Sequence, residues 1–210
     1  MFDHVSIKRH ARRGFTLLFL ATTLSACNEE LITGGVGGVG EAQAVSLSSP
    51  VGKMKTPWRT RYPAERLGIT TPGAQAKPLS AYRGKFVLVN VWATWCYSCR
   101  VEMKDLDNLQ SKFSKRDLLV MPLSVDRGGA AAVNRFYAKV GIKNLRTYNA
   151  DGRLVIYSFS EEALPFTVLL DPTGKEIGRV IGPVKWNSND FVQLIRQHLS
   201  QWKTDKVASN

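Results

Sequence analysis

Gly84-Lys85-Phe86-Val87-Leu88-Val89-Asn90-Val91-Trp92-Ala93-Thr94-Trp95-Cys96-Tyr97-Ser98-Cys99 is the stretch on which the fold turns. Phe86 to Trp92 is a nearly continuous apolar run opened by a glycine, the pattern of a central strand covered on both faces. From Arg100 to Phe113, Met103, Leu106, Leu109 and Phe113 recur at helical spacing. Cys96 and Cys99 therefore stand where a strand ends and a helix begins. The first turn of a helix brings thiols at i and i+3 together, and its unpaired N–H groups and dipole stabilise a thiolate on the outer one. This predicts Cys96 as nucleophile and Cys99 as the less accessible resolving thiol. The chemistry is exchange: the Cys96 thiolate attacks a disulfide, and Cys99 releases the mixed disulfide.

Other uses of two cysteines fit less well. A zinc site needs two further ligands. Beyond the N-terminal segment the sequence offers only Cys27 and His198, so no metal is expected. A purely structural disulfide closing so small a ring would remove little loop entropy. The redox-active Cys96–Cys99 pair is thus the expected cofactor, with none other required.

Working outward, Leu118 to Val125 reads as a second strand, and Ala130 to Val140 as a helix stopped by Gly141. Thr167–Leu170 and Glu176–Ile181 flank Asp171-Pro172-Thr173-Gly174, a hairpin signal. Ser188 to Trp202 carries the apolar stripe of a last helix. The order is βα, βα, then ββα.

The stretch from Gly84 to Cys96, with Leu164-Pro165-Phe166-Thr167 and the turn after it, resembles the thioredoxin superfamily, and more closely the extracytoplasmic TlpA/ResA-type reductases. The resemblance covers about residues 75–205. It implies an α/β thioredoxin-like fold, a central mixed sheet flanked by helices, with a central βα insertion between Cys96 and Pro165. It implies a cis-proline at Pro165, with Leu164 before it offering backbone to an extended substrate. Glu102 matches the acid three residues after the second cysteine that assists proton transfer in ResA-like proteins; a surface glutamate at a helix start is the plainer alternative. Asn90 stands where classical thioredoxins carry a buried Asp. Trp95 and Tyr97 are candidate substrate platforms, with core packing an equal alternative for Trp95 and the favoured one for Trp92. The sequence departs from the pattern at Tyr97-Ser98, which lacks the usual Pro before the second cysteine, and at Lys104, where Pro is common. Glu161-Glu162-Ala163-Leu164 does not resemble the loop of reductases dedicated to cytochrome c maturation.

The N-terminus reads as an address. Lys8, Arg9, Arg12 and Arg13 precede a short apolar core, Phe15 to Leu24, and Leu24-Ser25-Ala26-Cys27 resembles a bacterial lipoprotein box. Residues 1–26 are expected to be a signal peptide and Cys27 a lipidation site. Residues 27–74 are expected to be a flexible tether and basic lead-in, irregular from Pro50 to about Pro78 save for one short helix or hairpin leading into the domain, 75–205 the domain, and 206–210 a disordered tail. Gly35, Gly37 and Gly40 spell G-x-G-x-x-G, but without a preceding strand or a following helix this is not a dinucleotide site.

The 210 residues are 44% hydrophobic and 22% charged with a net charge of +12, an ordinary globular composition that excludes collagen-like and disordered chains. No apolar run is long enough for an ordinary membrane span. Residues 53–85 hold eight Lys/Arg against the single acid Glu65; this is a solvated surface or one that leans on anionic lipid headgroups. Nucleic acid is not an expected partner, since no reading module is present.

The expectation is a membrane-tethered, extracytoplasmic thiol–disulfide oxidoreductase, a monomer that reduces disulfides of exported proteins, with a role in cytochrome or oxidase biogenesis among its possible uses. Resemblance implies a DsbD/CcdA-like membrane electron donor. A thiol oxidase shares every residue named and differs in potential. A non-catalytic binding or copper-handling module is the third reading; familiar copper-binding relatives use C-x-x-x-C and a later His, which this chain lacks.

Overall fold

The computed structural model describes residues 50–55 and 66–208. The elements are β1 (Gly68–Thr71), β2 (Ala74–Pro78), β3 (Phe86–Trp92), α1 (Tyr97–Ser111), β4 (Leu118–Ser124), α2 (Gly129–Val140), β5 (Tyr148–Asn149), α3 (Gly152–Phe159), β6 (Phe166–Leu170), β7 (Glu176–Ile181) and α4 (Asn189–Ala208). They build a seven-stranded mixed sheet of order β2-β1-β5-β4-β3-β6-β7. β3 lies at its heart, parallel to β4 and antiparallel to β6.

All seven residues of β3 are buried. Because strand side chains alternate, Phe86, Leu88 and Trp92 join one core cluster while Val87, Val89 and Val91 join the other. This is why the run shows no polar alternation: both faces are covered. The first cluster includes Met103, Leu106 and Leu109 of α1 and Phe191 and Ile195 of α4. The second includes Val155 and Phe159 of α3 and Leu67, Ile69 and Leu79 around the first hairpin. Asn90 alone interrupts the strand with a polar side chain, on the α1 face.

The helix ends follow local chemistry. Gly141 stops α2 in the left-handed conformation, φ 71°, which a side chain would resist. Asp151 caps α3 by accepting from the N–H groups of Arg153 and Leu154. In the β6–β7 turn, Asp171 accepts from Thr173 N and Lys175 N, at 2.9 and 3.0 Å. Two helices with β5 between them connect β4 to β6, which is the expected βα insertion in a thioredoxin-like core.

Two expected boundaries are corrected. The sheet begins at Gly68, not residue 75. β1 and β2 form a hairpin around Pro72-Gly73, and Thr70 of β1 pairs with Asn149 of β5. β2 is an exposed edge strand, so its Ala-Gln-Ala-Lys-Pro sequence carries no burial signal. Lys55 also bridges to Arg179 of β7. At the other end α4 continues to Ala208, so residues 206–208 are helical rather than part of a disordered tail. No breaker ends the helix, and Gln201 binds Asp205 one turn on. The expected signal peptide, Cys27 and tether, up to residue 49, lie outside the described residues. Among the described residues no helix is long and apolar enough to cross a membrane.

Candidate active site

β3 ends at Trp92, and residues 93–95 turn the chain into α1. The turn is fastened on one side by Cys96 N donating to Ala93 O at 3.1 Å. On the other, Asp126 accepts from Thr94 N at 2.9 Å and from Thr94 Oγ1 at 2.6 Å. Asp126 is itself buried and held by Ser124 Oγ at 2.7 Å. Asn149 of the insertion donates to the carbonyls of Ser124 and Asp126. The insertion thus braces the loop that carries the cysteines.

Cys96 is the N-cap of α1. Its sulfur accepts from Cys99 N at 3.2 Å, an interaction suited to a thiolate at the positive end of a helix. Cys96 and Cys99 are joined in a disulfide. Cys96 retains 8% of its surface and Cys99 none, so an approaching sulfur meets Cys96 first. Ser98 Oγ lies 3.4 Å from Cys96 Sγ.

Glu102 lies one turn beyond Cys99 and is fully buried, not on the surface. Oε1 accepts from Asn90 Nδ2 at 2.7 Å, while Oε2 accepts from Trp186 Nε1 at 2.8 Å and from Val184 N at 3.2 Å. Asn90 Nδ2 also donates to Thr167 Oγ1. Burial pushes the Glu102 carboxyl up to about 7, outweighing the hydrogen bonds from Asn90, Trp186 and Val184; the nearby Asp105 adds a smaller upward push. A carboxyl poised there exchanges protons near neutrality.

The Leu164–Pro165 peptide bond is cis. Val91 pairs with Phe166, so Pro165 stands at the same end of the sheet as the cysteines. Trp95 is 69% exposed and Tyr97 60% exposed, so Trp95 is not a core residue, whereas Trp92 is. Trp95, Leu164, Ile156 and Phe166 line an open groove of about 610 Å³, with Arg127 and Arg153 among its polar walls. Tyr97 instead faces Arg100, whose guanidinium lies 5.6 Å from the ring centre.

Asp126, Thr94, Thr167, Val184 and Trp186 were not singled out from the sequence. A polar Asn90 inside a strand apolar on both sides was the available signal, since a buried amide demands partners.

The redoxin family model matches residues 60–195, most of the chain, and spans every element just described from β1 through the start of α4. The chain belongs to the redoxin family. This redoxin is 30% identical over 104 residues to the thiol-disulfide oxidoreductase ResA of Bacillus anthracis, covering 50% of this chain and 59% of that one. It is 29% identical over 119 residues to ResA of Bacillus subtilis strain 168, covering 56% and 65%. It thus spans less than two thirds of the length of these relatives. Among solved structures it resembles a DsbF homologue from Corynebacterium diphtheriae, with TM-score 0.54, 19% identity and coverage of 73% and 96%. A thiol:disulfide interchange protein from Chlorobium tepidum TLS gives TM-score 0.54, 22% identity and coverage of 68% and 99%. At these identities the structural likeness establishes the thioredoxin-like fold.

Proposed function

We propose that this redoxin is a thiol–disulfide oxidoreductase that reduces disulfides in exported proteins. The observation that carries the reading is the Cys96–Cys99 pair at the start of α1 with the Glu102 carboxyl one turn behind it. In the reduced protein the Cys96 thiolate attacks one sulfur of a substrate disulfide. A mixed disulfide forms and the first substrate thiolate leaves. The Cys99 thiol then passes its proton toward Glu102 and, as thiolate, attacks the Cys96 sulfur. The second substrate thiolate departs, and Cys96–Cys99 is left oxidised, two electrons having gone to the substrate. Trp95 and the Leu164–Pro165 backbone position the substrate beside Cys96, with Tyr97 on the outer side.

Resetting the site requires an external dithiol. The ResA-like relatives and the lipoprotein-like N-terminus support a DsbD/CcdA-like membrane donor, with Cys27 lipidated and the domain held at the extracytoplasmic face. Turnover of insulin disulfides by the protein with dithiothreitol tests the reading. Wild type is expected to precipitate insulin B chain and Cys96→Ser to fall to the uncatalysed rate; equal rates would remove Cys96 as nucleophile.

A further inference from the structure

A second concave site lies away from the cysteines, at the β1–β2 edge of the sheet. It is an open groove of about 620 Å³ whose lining includes Lys77, Lys85 and Arg146, together with Thr71, Tyr82 and Tyr148, and, among the described residues, no acidic one. It shares no lining residue with the groove beside Trp95. The Tyr82 and Tyr148 rings meet edge to face at 6.1 Å, so part of this wall is preordered. Among the described residues no ion pair uses Lys77, Lys85 or Arg146. Three cations thus share a concavity without an ion-pair partner among the described residues. Two of them, Lys77 and Lys85, belong to the stretch of residues 53–85 whose eight basic residues face one acid, a charge run that disulfide exchange does not use.

We propose that this groove binds a phosphate group, supplied by an anionic phospholipid headgroup. A guanidinium fork and two ammonium groups suit phosphate oxygens, which accept several charge-assisted hydrogen bonds at once. An anionic membrane surface attracts each Lys or Arg near it, and the attraction is screened by salt. Engaged in this way, the β1–β2 edge turns toward the lipid. The redox centre is a separate site, so the inference stands or falls independently of the exchange chemistry.

The test uses the full chain and vesicles of phosphatidylcholine with or without phosphatidylglycerol. The residues before the domain are common to all variants and cancel in the comparison. Lys77→Glu/Lys85→Glu/Arg146→Glu is compared with Lys115→Glu/Arg116→Glu/Lys143→Glu, an equal charge change elsewhere. The groove variant is expected to lose at least about tenfold in binding to phosphatidylglycerol vesicles, while the control loses markedly less. Insulin reduction is expected to be unchanged in both, which also shows that each folds. Equal losses in the two variants would reduce the effect to net charge and overturn the proposal. Titration with glycerol phosphate gives the second arm: saturable binding of this free ester by wild type, with no preference for phosphatidylglycerol vesicles, would overturn the lipid assignment.

Discussion

Replacing Glu102 by Gln changes how stability depends on pH, and the size of the change follows from the burial of the carboxyl. Its pKa is raised from the ordinary 4.5 to about 7. Below 4.5 the group is protonated folded or unfolded and gives no pH dependence. Between 4.5 and 7 the folded protein holds a proton that the unfolded chain has released, so stability falls as pH rises. Above 7 both states are ionised and the contribution is flat. Two and a half pH units at about 1.4 kcal/mol each come to roughly 3 kcal/mol lost from wild type across this window. Gln is close in shape and does not titrate. Its carbonyl can accept from Trp186 Nε1 and Val184 N, and its amide can donate to Asn90 Oδ1, which has no partner among the described residues, once the Asn90 amide flips to turn that oxygen toward it. The assay is urea unfolding of the oxidised proteins at intervals from pH 4.5 to 8. Relative to wild type, Glu102→Gln is expected to gain about 3 kcal/mol between the ends of the series. Other titrating groups are common to both proteins and cancel. A stability difference that stays constant with pH would show that Glu102 does not titrate in this window, and the proton-transfer role would fall with it.

Trp186→Phe removes one donor to Glu102 Oε2. The Glu102 pKa should move higher still, and the lower break in the pH profile of insulin reduction should follow it upward; an unmoved break refutes the link. Asp126→Ala strips the Thr94 clamp and leaves buried donors unmatched. A loss of about 2 to 4 kcal/mol in unfolding free energy is expected, together with a changed reduction potential; an unchanged potential would mean the clamp does not bear on the cysteines. Trp95→Ala should raise KM for protein substrates several-fold while leaving thermal stability within about 0.5 kcal/mol, because the ring is 69% exposed. A thermal loss with unchanged KM would make Trp95 a structural residue.

The parts of this molecule that were legible in its sequence are those where one local signal suffices. Phe86 to Trp92 announced a doubly covered strand, Gly141 a helix stop, and Asp171-Pro172-Thr173-Gly174 a hairpin. The two cysteines could be placed in advance because a strand-to-helix corner was legible around them, and the structure puts Cys96 at the N-cap of α1. A short hairpin before the domain was one reading of the Pro50–Pro78 stretch, but its membership of the sheet was not legible, because β2 is wholly exposed and β1 buries only Ile69, which leaves no hydrophobic alternation to read. β5 is two residues long and pairs with β1 and β4 only through tertiary context. The environment of Glu102 was hidden for a related reason. Its partners Asn90, Val184 and Trp186 lie 12, 82 and 84 residues away, and no spacing rule joins them. The Asp126–Thr94 clamp spans 32 residues in the same way. Local chemistry points to Cys96 as the nucleophile of the proposed exchange, and the fold surrounds it with the groups proposed to tune it.

The most direct test of the exchange mechanism is to trap its intermediate. Reduced Cys99→Ser and Cys96→Ser proteins are mixed with a disulfide-containing protein substrate, quenched in acid and mapped by mass spectrometry. The mechanism predicts a stable mixed disulfide through Cys96 in Cys99→Ser and little or none in Cys96→Ser. Preferential trapping through Cys99 in Cys96→Ser would contradict the order of attack, and trapping in neither variant would contradict disulfide exchange itself.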